Sequence, residues 1–337
     1  MCGIVAYVGH RPACDVVVDA LRRMEYRGYD SSGLAILDGD GGLTVRRRAG
    51  RLANLEEALA ETDPSALVGT AGIGHTRWAT HGGPTDVNAH PHLADDDKLA
   101  LIHNGIIENF AELKRELLDD GVTFTSETDT EVAAHLVGKI YRETGDLTAA
   151  LRRTVARLEG AFTLLAVHQD QPGVVVGARR NSPLVIGLGE GENFLGSDVA
   201  AFVEHTRRAM EIGQDQIVTI RPGSVEVTDF AGNPVPTREF EIAWDASAAE
   251  KGGWPTFMKK EISEEPEAVG KTLLGRIDAE HAQDVGIVAQ GQPGRRVART
   301  RLTQQDGTGA QLDHWRPGHA GMPNRRLRTW KARRAGS

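Results

Sequence analysis

Cys2 is a residue whose place in the chain could by itself do chemistry. An initiator methionine is normally removed when residue two is small, so loss of Met1 is expected. That loss would put a thiol and a free α-amino group on one residue. A thiol titrates near ~8.5 and an α-amino group near ~7.7–8.0. The amine can therefore take the thiol proton around neutral pH, directly or through one water, and one residue serves as nucleophile and base. Gly3 has no side chain and leaves room for a substrate. Position two alone does not separate this from an incidental cysteine, and the other cysteine, Cys14, reads as a small buried hydrophobe.

Four polar motifs supply what such a nucleophile would need. In Gly74-His75-Thr76-Arg77-Trp78-Ala79-Thr80-His81-Gly82, Arg77 offers a planar fork suited to an amino-acid carboxylate, although a lone Arg more often makes a surface ion pair. Val87-Asn88-Ala89-His90-Pro91-His92 is the second. In His103-Asn104-Gly105-Ile106-Ile107-Glu108-Asn109, the Asn104 amide and the Gly105 backbone N–H are two donors able to hold a tetrahedral oxyanion, with a plain Asn-Gly turn as the alternative. In Ser126-Glu127-Thr128-Asp129-Thr130-Glu131, Asp129 suits a substrate ammonium, and the same string is a capping box with Ser126 or Thr128 as cap.

Alternating or β-branched runs predict strands at 4–8, 33–37, 43–47, 70–79 and 99–103. Apolar residues at helical spacing predict helices through Val17, Leu21 and Met24, through Leu52, Leu55 and Leu59, and through Phe110, Leu113 and Leu117. Val132, Leu136 and Ile140 mark another, and Leu147, Leu151, Val155 and Leu158 a further one. Strands return at 161–167, 174–178, 184–187, 217–220 and 225–228. This order predicts mixed α+β layers and no doubly wound sheet. A helix is expected over 257–276, interrupted at Pro266.

The strings MCGIV, LRRMEYRGYDSSGLA, GHTRWATHG, VNAHPH, HNGIIEN and SETDTE occur in an order that resembles the class-II, N-terminal-nucleophile glutamine amidotransferases, over about residues 1–280. The resemblance is greatest to the branch that donates nitrogen to fructose 6-phosphate for amino-sugar synthesis. It implies an α+β, four-layer αββα sandwich. It also implies that Cys2 attacks the amide of L-glutamine to form a thioester and that Asn104 and Gly105 form the oxyanion hole. Arg77 would bind the α-carboxylate with Thr80 and His81 in the same pocket, Asp129 the α-ammonium, and Trp78 would exclude water or gate ammonia. No cofactor or metal is implied. The amidotransferase domain is expected over 2–228, a linker and the start of a sugar-isomerase half over 229–284, and a divergent, disordered Arg-rich tail over 285–337. With the isomerase half missing, the sugar half-reaction is expected to be absent. An amidophosphoribosyltransferase would need an acidic, glycine-containing phosphoribosyl-diphosphate loop, which the chain lacks, and a non-catalytic relic is the remaining alternative.

Composition agrees with a globular protein. The 337 residues are 40% hydrophobic and 26% charged, with net charge −8. From Gly286 onward there are eleven basic residues and two acids, so the rest of the chain is strongly acidic, which argues against nucleic acid as a partner. No run of eighteen apolar residues predicts a membrane span, and the first residues do not read as a signal peptide. Two cysteines make no disulfide framework, so a cytoplasmic setting is expected. His75, His81, His90, His92 and His103 cluster in sequence, but their spacing fits no zinc pattern.

Overall fold

A computed structural model describes residues 2–38, 40–243, 254 and 257–273. The chain divides into a compact unit, Met1–Glu261, and a second unit, Ile262–Ser337.

In the first unit the elements run β1 (Gly3–Val8), α1 (Ala13–Met24), β2 (Ser31–Leu37), β3 (Leu43–Ala49), α2 (Leu52–Ala60), β4 (Ala71–Arg77), β5 (His92–Ala94) and β6 (Leu99–Ile107). Three helices follow, α3 (Phe110–Asp119), α4 (Asp129–Thr144) and α5 (Leu147–Val155). Then come β7 (Gly160–His168), β8 (Val175–Arg180), β9 (Val185–Leu188), β10 (Asn193–Gly196), β11 (Arg208–Glu211), β12 (Gln216–Arg221), β13 (Ser224–Asp229) and β14 (Glu239–Glu241). Eight strands form one antiparallel sheet in the order β14-β11-β9-β10-β1-β4-β2-β3, and six form another, β13-β12-β8-β7-β6-β5.

Period-two alternation on these strands builds four layers. On β1, Ile4, Ala6 and Val8 join Ala100 and Ile102 of β6 and Leu165 and Val167 of β7 in a core between the sheets. The intervening Val5 and Tyr7 pack with Val17, Leu21 and Met24 of α1. On the far side, Leu99 and Leu101 of β6 and Phe162 and Leu164 of β7 meet Leu117, Val132, Leu136 and Leu151 from α3, α4 and α5. The result is the expected α+β sandwich: helices, sheet, sheet, helices.

The expected helices and strands are present, with informative differences. β5, β10, β11 and β14 carry no expectation; each is three or four residues long, too short to show a period. Leu158 lies beyond the end of α5 but is buried with it. The folded body also passes the expected limit at 228. β14 pairs with β11, and Ile242 is buried with its N–H on the Arg207 carbonyl, so the sheet needs residues through 242. A further helix, α6 (Phe257–Leu273), runs through Pro266 where an interruption was expected. The tail from 274 onward lies outside the described residues.

Candidate active site

The sheet register brings the distant motifs together. β1 begins one residue after Cys2 and pairs with β4, Gly3 opposite Thr76 and Ile4 opposite His75. The end of β4 therefore delivers Arg77 and Trp78 to the nucleophile: the Trp78 N–H donates to Cys2 Sγ at 3.1 Å, and the thiol faces the Trp78 carbonyl at 3.5 Å. β6 of the other sheet carries Asn104, whose Nδ2 donates to the Cys2 carbonyl at 3.0 Å. Gly105 follows with φ +126, and a Cβ there would sit 2.0 Å from the Ala161 carbonyl oxygen, so this strand end admits only glycine.

Cys2, Arg77, Trp78, Thr80, Asn104, Gly105 and Asp129 all line one cavity of about 440 Å³. Burial pushes the Cys2 thiol above its ordinary value, opposed by the Trp78 N–H and by the positive charges of Arg77 and Arg27. Asp129 is the first residue of α4 and almost fully buried. One carboxylate oxygen accepts the Ile107 N–H at 2.9 Å, and the other makes no hydrogen bond among the described residues. The capping reading of the same motif also holds: Thr128 Oγ1 accepts the Glu131 N–H at 3.3 Å, while Glu131 accepts from Thr125 and Ser126. The string does both jobs.

Arg77 is buried, and its guanidinium donates to the carbonyls of His81, Gly82 and Gly83. It thus ties down the loop that follows β4 while facing the cavity. His81 differs from expectation. It is not part of the cavity lining; its carbonyl holds Arg77, and its ring stands edge-on to Phe110 at 5.3 Å. Trp78 is 47% exposed at the mouth, with its ring edge against Tyr29 at 5.7 Å.

The cavity also takes in residues that had no assigned role. Arg27, ion-paired to Asp198 at 3.0 Å, reaches it from the segment after α1, and Asn181 to Pro183 close another wall. The signal for Arg27 was its place within LRRMEYRGYDSSGLA, though nothing in that string separates it from Arg22 or Arg23, which pair with acids elsewhere. Four of the five clustered histidines, His75, His90, His92 and His103, are buried, while His81 is half-buried. Burial lowers His75 and His92 to about 3 and pushes His90 and His103 down as well, so all four are neutral. Among the described residues no group of three or more His, Cys, Asp or Glu could hold a metal ion, and no helix is long and apolar enough to cross a membrane.

Comparison with known proteins points the same way. Residues 63–227 match the model of a glutamine amidotransferase domain. The chain is 68% identical over 276 residues to a glutamine--fructose-6-phosphate aminotransferase [isomerizing] of Leifsonia xyli subsp. xyli, covering 82% of this chain and 44% of that relative. It is 60% identical over 278 residues to the Streptomyces coelicolor protein of the same name, covering 82% of this chain and 45% of the relative. The chain thus spans about half the length of the curated relatives it matches. Among solved structures, the glutamine phosphoribosylpyrophosphate amidotransferase from B. subtilis, complexed with ADP and GMP, aligns with a TM-score of 0.58 at 25% identity, covering 69% of this chain and 50% of that one. A structure described as the allosteric regulatory enzyme of purine biosynthesis aligns with a TM-score of 0.59 at 26% identity, covering 69% and 50%. Sandwich, domain match and close relatives agree: the chain belongs to the class-II glutamine amidotransferases.

Proposed function

We propose that this chain hydrolyses L-glutamine to glutamate and ammonia, with Cys2 as nucleophile once Met1 is removed. The observation that carries this is a thiol in a cavity whose walls hold both a buried guanidinium, Arg77, and a buried carboxylate, Asp129. That pair suits the two charges of a free amino acid. The side-chain amide then lies toward Cys2. The thiol proton passes to the α-amine of the same residue, and Sγ adds to the amide carbon. The resulting oxyanion takes hydrogen bonds from Asn104 Nδ2 and the Gly105 N–H. The amine returns the proton to the departing nitrogen, the C–N bond breaks, and ammonia leaves a γ-glutamyl thioester. Water adds to the thioester carbon and the C–S bond breaks, giving glutamate and the free thiol.

Thr80 lines the substrate end, Trp78 covers the mouth, and His81 acts through its carbonyl on Arg77. The chain needs no cofactor or metal for these steps. Two unpaired thiols suit a reducing cytoplasm. The fructose 6-phosphate named for the relatives is the acceptor we assign to the full-length arrangement, not to residues 2–243. An amidophosphoribosyltransferase reading has only the 25–26% identical structures in its favour, against relatives at 60–68%. Ammonia release from glutamine, with intact mass reporting Met1 removal, tests the proposal. A Met1-free protein that releases no ammonia, or a Cys2→Ala variant that releases as much, refutes it.

A further inference from the structure

An asparagine amide can face either way, and its neighbours decide which. For Asn104 one neighbour is the Cys2 carbonyl, 3.0 Å from Nδ2. The other is His75 Nε2, 2.9 Å from Oδ1. The same Nε2 lies 3.0 Å from the His103 carbonyl oxygen. A carbonyl only accepts, so Nε2 carries the hydrogen, and it donates to both oxygens. His75 Nδ1 has no hydrogen-bond partner among the described residues, so no acceptor there calls for a second N–H on the ring. With that tautomer fixed, a flipped Asn104 would set NH₂ against N–H and its oxygen against the Cys2 carbonyl. One hydrogen of Nδ2 goes to Cys2, and the second is left for the cavity.

The contact also crosses the sandwich. His75 stands opposite Ile4 in the sheet that carries the nucleophile, and Asn104 belongs to β6 in the other sheet. Beside the Asn104–Cys2 bond, His75 adds a second polar contact between the two sheets next to the nucleophile, from β4 to β6. Its burial keeps the ring neutral, so the donor is present throughout the working pH range. No charge is delivered to the site by this residue.

We propose that His75 is a positioning residue that orients the Asn104 amide as an oxyanion donor and sets its distance from Cys2. The inference rests on the glutaminase reading above. His75 touches no substrate and acts through Asn104, so its loss should lower kcat and leave KM for glutamine nearly unchanged.

The test compares His75→Gln, which places an amide donor near the Nε2 position, with His75→Asn, whose donor falls short. Both put an amide in the same buried place, so their shared cost in stability cancels. Expected are a His75→Asn kcat lower by about 10–10²-fold, bounded by the cost of one lost oxyanion donor, and a His75→Gln kcat within about threefold of wild type on the same scale. KM should stay within about twofold in both, because the lost bond strengthens only in the transition state. Alkylation of Cys2 by iodoacetamide, which needs the thiol but no oxyanion hole, should proceed at the wild-type rate. In an Asn104→Ala background, His75→Asn should cost nothing further. Equal kcat in the two variants, a loss confined to KM, or a full His75→Asn penalty persisting without Asn104 would each overturn the inference. If His75→Asn does not fold, the same comparison of His75→Gln in the wild-type and Asn104→Ala backgrounds decides: a kcat reduced more than about tenfold, with or without Asn104, overturns it. A wild-type protein inactive on glutamine instead refutes the reading beneath it.

Discussion

Acidification from pH 7 to pH 5 should weaken this fold steeply. His75 and His92 are buried and held near 3, and His90 and His103 are pushed down in the same way. Each folded value lies below the unfolded value of about 6.5. Below pH 6.5 the unfolded chain takes up protons that the folded chain refuses, so stability is complete above that value and is lost as pH falls toward 3. At pH 5 the unfolded state gains about 2 kcal/mol for each such histidine. His75 and His92 together contribute a loss of about 4 kcal/mol, set against a total domain stability of about 5–15 kcal/mol. His90 and His103 add to it. The low-lying carboxylates Glu131 and Asp95 lose their contribution only at more acidic pH, so this window isolates the histidines. Urea unfolding followed by circular dichroism at pH 7, 6 and 5 measures the slope. His75→Asn removes one titrating group and should reduce the loss by about 2 kcal/mol. An unfolding free energy that changes by less than about 1 kcal/mol between pH 7 and 5 would refute the assignment of these rings as buried and neutral.

Other perturbations probe the site directly. Asn104→Ala should lower glutaminase kcat by about 10²–10³-fold with little change in KM, read by steady-state ammonia release. Gly105→Ala brings a Cβ to 2.0 Å from the Ala161 oxygen at φ +126, so it should lower the melting temperature and abolish activity together; a stable, active variant would contradict the strand geometry. Arg77→Ala removes a charged fork worth about 1.5–3 kcal/mol, so KM should rise about 10–10²-fold, and the loop through His81 to Gly83 should become more protease-sensitive. Unchanged KM would move the carboxylate site elsewhere.

How much of this was legible in the sequence varied by kind of residue. The longer apolar segments were plain: β1 is a continuous apolar run buried along its whole length, and α4 shows its buried face in the helical spacing of its apolar residues. Short edge strands such as β14 were not, because three residues have no period and exist only by pairing with β11. Pro266 misled in the other direction, since a proline marks a helix break from sequence but α6 continues through it.

The site divides in the same manner. The sequence alone determined which chemistry was on offer: a thiol at position two, an amide beside a glycine, a guanidinium and a carboxylate in glycine-bounded motifs. Those are properties of residue type and local order. Only the tertiary structure decided that Arg77 holds its own loop, that His81 turns to Phe110, and that His75 reaches across two sheets to Asn104. These depend on strand register and on how two sheets face each other, and both are set by contacts between residues tens of positions apart, where no local pattern carries the information.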